Sequence, residues 1–219
     1  MDPRRPPHRP ITKPRQLLVE GRTPQLFFEV LTTYLQISDA EIHDFRSNEQ
    51  FPGYLKGFCA RPEFKEQVKS LGIIRDAESL PEARQPRPAG AAASAAFDSV
   101  CHSLGAAGQP RPEQMGSFSD GPPRIGVFIL PNCRDDSMLE TLCLESVQTN
   151  GTSKCLGDFF ACMAAAGVLT ARNMTKAKTF AVLAAKDISD PLVGRAAQKG
   201  IWPWSHVAFQ QLTQFLRAL

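Results

Sequence analysis

Hydrophobic positions along the first two-thirds of the chain predict strands that alternate with helices. Short apolar runs that end in a turn or in charged residues are typical of buried strands. They occur at 16–19, more weakly around 42–45, and at 69–74 and 125–130. Apolar residues at helical spacing predict helices in between, at 23–34, 51–59, 63–68 and 92–104.

The last third of the chain shows only helical patterns. The predicted helices are 137–147, 153–166, 173–186, 191–199 and 206–218. Strands that alternate with helices favour a mainly parallel sheet with helices on both faces. In such sheets the functional groups lie beyond the carboxyl ends of the strands.

Composition is compatible with an ordinary globular protein. The chain has 219 residues, of which 42% are hydrophobic and 21% charged, so collagen-like, coiled-coil and wholly disordered chains are excluded. No apolar run approaches the roughly 20 residues that a membrane span requires.

We predict a flexible, basic, proline-rich tail at 1–14, an α/β core at 15–136 and a helical region at 137–219 that packs on the core. Mobile loops are expected at 79–90 and 105–123.

The distribution of charge and the spacing of the cysteines indicate which partners and which cellular compartment to expect. Residues 1–15 contain five basic residues and one acidic residue, so the rest of the chain carries almost no net charge. High-affinity, nonspecific DNA binding by electrostatics alone is therefore not expected; the tail is either a solvated leader or a nucleic-acid arm. The tail lacks the apolar stretch of a secretory signal, and the six cysteines form no C-x-x-C pair. We therefore expect reduced thiols and a cytoplasmic location.

Acidic and polar residues follow the predicted strands, where parallel strands would bring them to one edge of the sheet. These strand-end groups are Glu20, Asp76, Glu78, Asn132, Asp135 and Asp136. Two carboxylates about 4 Å apart repel each other by on the order of 4 kcal/mol at an effective dielectric constant of about 20. Arg75 or a hard divalent cation such as Mg²⁺ could offset this repulsion. The alternative is that these acids lie separately in water, because the starts of loops are commonly polar.

Several segments resemble a known family. The segment LLVEG, with the helix after it, and the later LGIIRDAE resemble the two acidic motifs of the Toprim domain. The segments RIGVFILPN, DSMLETL and PLVGRAAQKGIW extend the likeness to an uncharacterised bacterial family of stand-alone Toprim-like proteins, from about residue 15 onward. The resemblance implies a three-layer, Rossmann-like α/β fold with an appended C-terminal helical region. It also implies Mg²⁺- or Mn²⁺-dependent phosphodiester chemistry on nucleic acid, by a nuclease or a nucleotidyl transferase.

The resemblance also implies roles for individual residues. Glu20 would be the general acid/base or a ligand, and Asp76 and Glu78 would bind the metal ion. Glu140 lies where the nuclease branch has a further acidic ligand on a helix. Arg22 and Arg75 are the candidates to hold a phosphate group.

Two departures from the family pattern leave a second hypothesis open. The later motif is D-A-E where D-x-D is usual, and Thr23-Pro24 stands where a further acidic residue is usual after Glu20-Gly21-Arg22. Mg²⁺ tolerates misplaced ligands poorly, so these changes could reduce a two-metal site to one metal or none. The alternative is a catalytically degenerate Toprim-like scaffold that acts as an interaction or binding module.

Other kinds of site are not indicated. The four histidines lack zinc-ligand spacing, and the chain has no G-x-S-x-G, Walker A or G-x-G-x-x-G motif. Cys133 follows a predicted strand, and we interpret it as a plain thiol. Trp202 and Trp204 are expected to anchor a corner between helices.

Overall fold

The fold is taken from a computed structural model, which describes residues 10–77, 88–188, 190 and 192–219. Glu78, most of the predicted loop at 79–90 and most of the predicted tail lie outside this range. Ile11 is buried, with 2% of its surface exposed. The Glu41 carboxylate accepts hydrogen bonds from the backbone N–H and hydroxyl of Thr12 and from the backbone N–H of Lys13. The chain is therefore fixed at the amino end of the sheet before β1 begins.

A parallel sheet of four strands forms the centre of the molecule. Its order is β2-β1-β3-β4, and each neighbouring pair is parallel. The strands are β1 (Arg15–Val19), β2 (Ala40–Asp44), β3 (Ser70–Asp76) and β4 (Arg124–Leu130). This arrangement confirms the predicted α/β class.

Helices connect the strands and complete the chain. The described helices are α1 (Arg22–Tyr34), α2 (Phe51–Cys59), α3 (Pro62–Gln67), α4 (Ala91–Ala106), α5 (Leu139–Val147), α6 (Asn150–Ala165), α7 (Met174–Ala185), α8 (Val193–Gln198) and α9 (Gln210–Ala218). A 3₁₀ turn, Val207–Phe209, precedes α9. In the part of the chain that the structure describes, no helix is long and apolar enough to cross a bilayer.

The helices cover both faces of the sheet, which gives three layers. Successive side chains of a strand point to opposite faces, so Ile73 and Ile74 belong to different cores. The core on the side of Ile74 contains residues of α1, α5, α8 and α9. The core on the side of Ile73 contains residues of α2, α3 and α4. The C-terminal helices α5, α8 and α9 thus help to form one of the outer layers.

Two close contacts explain how the last helices pack. A side chain at Gly72 would lie 2.9 Å from Leu17 Cδ1 and 3.1 Å from Leu219 Cδ1, so the glycine allows Leu219 to pack closely on the sheet. Trp202 is buried and donates a hydrogen bond from Nε1 to the Val193 carbonyl at 2.9 Å. Its position agrees with the predicted anchor between helices.

Candidate acidic site at the carboxyl edge of the sheet

Three carboxylates that are distant in sequence interact at the carboxyl edge of the sheet. Glu20 directly follows β1, Asp76 is the last residue of the neighbouring β3, and Glu140 lies in the first turn of α5. Burial, together with the negative charges of Glu140 and, to a smaller extent, Glu20, raises the pKa of Asp76 to about 7. The structure thus brings together three of the predicted site residues.

The loop after β4 positions α5 against the end of β3. The backbone N–H of Ala77 donates to the Leu130 carbonyl at 3.2 Å and to the Ser137 carbonyl at 3.1 Å. The backbone N–H of Leu139, the first residue of α5, donates to Asp76 Oδ1 at 2.9 Å. Since the N-terminus of a helix carries partial positive charge, it favours a carboxylate at this point. This contact lowers the pKa of Asp76 and partly offsets the effect of burial.

The turn after β1 is built around another strand-end acid, Asp44. Gly21 adopts a φ of 91°, which glycine tolerates best, and its N–H donates to Asp44 Oδ1 at 2.7 Å. The N–H of Arg46 donates to the same oxygen at 2.6 Å. Asp44 therefore holds the loops that follow β1 and β2, and the half-buried Glu20 lies immediately before this turn.

A lysine that belongs to none of the sequence motifs lies beside the carboxylates. Lys176 Nζ is 3.8 Å from Glu140 Oε1, and its positive charge lowers the pKa of Asp76. Helix α7 packs against α5 at the buried Thr179, whose hydroxyl donates to the Thr175 carbonyl at 2.9 Å and lies 3.4 Å from the Glu140 carbonyl oxygen. The only signal for Lys176 in the sequence is a cation in the first turn of a predicted helix, where acidic residues are preferred.

The two predicted phosphate-binding arginines differ in position. Arg22 is exposed at the start of α1 and donates from Nη1 to Gln25 Oε1 at 2.8 Å. Arg75 is buried, with 8% of its surface exposed, and shares its face of β3 with Ile73 and Ala77. Because side chains alternate along a strand, Arg75 points away from the face on which Asp76 lies.

Polar residues after β4 form hydrogen bonds within their own loop and with the start of α4. Asp136 Oδ1 accepts a hydrogen bond from the Ala93 N–H at the start of α4, at 2.9 Å. Asp135 Oδ2 accepts from Asn132 Nδ2 at 2.7 Å. The strand-end acids of β4 thus have partners apart from Glu20 and Asp76, in contrast to the expectation that all strand-end groups gather.

Thiols near this edge are poor nucleophiles. Burial raises the pKa of Cys133 to about 11, and burial together with the charges of Glu140 and Asp76 raises the pKa of Cys143 well above its ordinary value. Both thiols are therefore protonated at neutral pH. All six cysteines are free.

Carboxylate oxygens suit a hard divalent cation. No group of three or more His, Cys, Asp or Glu side chains is arranged to hold a metal ion within the described ranges. Mg²⁺ commonly uses one or two carboxylates and completes its shell with water and substrate phosphate. The donor chemistry of Asp76 and Glu140 fits that more open kind of site.

Comparison with known proteins identifies a family. A family described as a protein of unknown function (DUF3226) matches residues 14–219. No curated protein and no solved structure matches the chain.

Proposed function

This chain belongs to the DUF3226 family, and we propose that it carries out Mg²⁺- or Mn²⁺-dependent phosphodiester chemistry on nucleic acid. The reaction would be that of a nuclease or a nucleotidyl transferase. The observation that carries the proposal is the electrostatic interaction of Asp76 with Glu140 and Glu20 at the carboxyl edge of a parallel sheet. The Toprim resemblance, which rests on sequence motifs, supports the same chemistry.

Asp76 and Glu140 are the residues that would hold the cation. A bound Mg²⁺ would neutralise charge on the non-bridging phosphate oxygens, which is the main requirement of phosphoryl transfer. The N-terminus of α5 fixes one oxygen of Asp76 and so limits its orientation. Glu78 lies outside the described residues, and its role as a further ligand stays a prediction.

Glu20 and Arg22 supply the remaining functions in this proposal. Glu20 lies close enough to influence Asp76 electrostatically and would move a proton to or from the reacting oxygen. Arg22 is exposed two residues later and would bind a phosphate group. Phosphate binding is not assigned to Arg75, because its side chain points to the other face of β3.

We place the activity in the cytoplasm, because six free thiols suit its reducing environment.

A cleavage assay tests this proposal. Wild type and Glu20→Gln would be incubated with single-stranded and duplex DNA and RNA in Mn²⁺, in Mg²⁺ and in excess EDTA. We expect metal-dependent cleavage that Glu20→Gln lowers by about 100-fold or more. Glu145→Gln is the matched control, because Glu145 is exposed on α5. Cleavage that persists in EDTA, or equal cleavage by Glu20→Gln, would contradict the proposal.

The second candidate function is a binding module that retains the scaffold without catalysis. Two observations favour it: the D-A-E motif, and the lack of a closed group of three metal ligands among the described residues. A macromolecular partner that Glu20→Gln/Asp76→Asn and wild type capture with equal affinity would support this function. Loss of the partner in that variant would count against it.

A further inference from the structure

The geometry of the pair formed by Lys176 and Glu140 shows how the lysine approaches the acidic site. The Nζ to Oε1 distance of 3.8 Å is long for an ion pair, and 48% of the lysine side chain is exposed against 13% for Glu140. Lys176 therefore reaches Glu140 from the solvent side. Such a half-exposed pair contributes little to stability, so the ammonium group can leave Glu140 at small cost.

Helix stability does not explain a lysine at this position. Lys176 is the third residue of α7, and its backbone N–H donates to the capping side chain Asn173 at 2.9 Å. Acidic residues are favoured at this position, and a cation is disfavoured by the partial positive charge of the helix N-terminus. A residue that departs from a local preference is a candidate for a functional role.

We propose that Lys176 is the counter-ion of the acidic site and that it binds a substrate phosphate once Glu140 and Asp76 hold a divalent cation. This inference rests on the proposed function. A lysine is a mobile point charge on a four-carbon stem, while Asn173 and Thr179 fix the backbone of α7 beneath it. The ammonium group can therefore move between a carboxylate and a phosphate without movement of the helix.

The inference predicts opposite effects of one substitution on two ligands. Lys176→Met removes a positive charge beside the carboxylates, so Mn²⁺ should bind about three to ten times more tightly in calorimetry. The same variant should bind a single-stranded DNA of about 20 nucleotides at least about tenfold more weakly in Ca²⁺, measured by fluorescence anisotropy. Lys176→Arg should keep both affinities close to those of wild type.

Lys178→Met is the matched control, since Lys178 lies on the same helix and the substitution removes the same charge. It should leave both affinities unchanged, and melting curves would show that all variants are folded. If wild type binds Mn²⁺ but Lys176→Met leaves either the Mn²⁺ or the DNA affinity unchanged, the inference fails while the proposed function stands. If wild type binds no Mn²⁺, both fail.

Discussion

Asp76 combines a structural contact and a candidate functional position in one side chain. Its Oδ1 accepts the hydrogen bond from the first residue of α5, while burial and the charges of Glu140 and Glu20 raise its pKa. Position after a strand, together with the family resemblance, selects Glu20 and Asp76 from the sequence, whereas the resemblance alone selects Glu140, which lies on a helix. Lys176 could not be selected in the same way, because its role depends on how α7 packs against α5.

The raised pKa of Asp76 predicts that stability depends on pH. The folded protein keeps a proton on Asp76 up to about pH 7, whereas the unfolded chain releases it near the ordinary value of 3.8. The free energy of unfolding should therefore fall as pH rises from about 4 to 7, by on the order of a few kcal/mol. Urea unfolding at pH 5 and pH 8 measures this change.

Asp76→Asn provides the comparison for that experiment. Asparagine keeps a carbonyl oxygen for the Leu139 N–H and carries no charge, so this variant should show a smaller fall in stability between the two pH values. The same fall in wild type and Asp76→Asn would contradict the burial of an ionisable group at this position.

At the scale of the elements, the packing of α8 on α1 requires a glycine. A side chain at Gly194 would lie 2.4 Å from the Thr23 carbonyl oxygen and 2.9 Å from Leu26 Cβ. The backbone of α1 cannot move aside easily, so Gly194→Ala should lower the free energy of unfolding by about 1–3 kcal/mol. Urea denaturation of the variant and of wild type measures the difference.

Gly157→Ala is the control for the contact at Gly194. Gly157 lies in α6, and a side chain there would meet no atom within 4 Å. The higher helix propensity of alanine should raise stability by up to about 1 kcal/mol. If both variants changed stability in the same direction, the close contact between α8 and α1 would not be what requires glycine at Gly194.

The elements also show what the sequence pattern can and cannot determine. Apolar runs located all four strands, and helical spacing located the helices between them, because burial imposes these two periods directly. The pattern did not determine which polar groups meet. Asp136 accepts a hydrogen bond from the start of α4, and this contact depends on the packing of elements far apart in sequence. The opposite faces of Arg75 and Asp76, in contrast, follow from the alternation of side chains along β3.

For the whole molecule, the three-layer arrangement explains why distant residues form one site. Parallel strands bring Glu20 and Asp76 to the same edge, and the return of the chain after β4 adds Glu140. The segment at residues 11–13 is held by Glu41 near the start of β2, at the opposite end of the sheet.

Calorimetric titration of Mn²⁺ into wild type, Asp76→Asn and Asp135→Asn tests the central claim most directly. Asp135 also follows a strand, but it is exposed and hydrogen-bonded to Asn132. Its substitution therefore removes one carboxylate without changing the acidic site, which makes it the control. We expect Mn²⁺ to bind wild type and Asp135→Asn with similar affinity, more tightly above pH 7 than below, and to bind Asp76→Asn at least about tenfold more weakly. Absence of Mn²⁺ binding to wild type at pH 8, or equal binding to Asp76→Asn, would contradict the account.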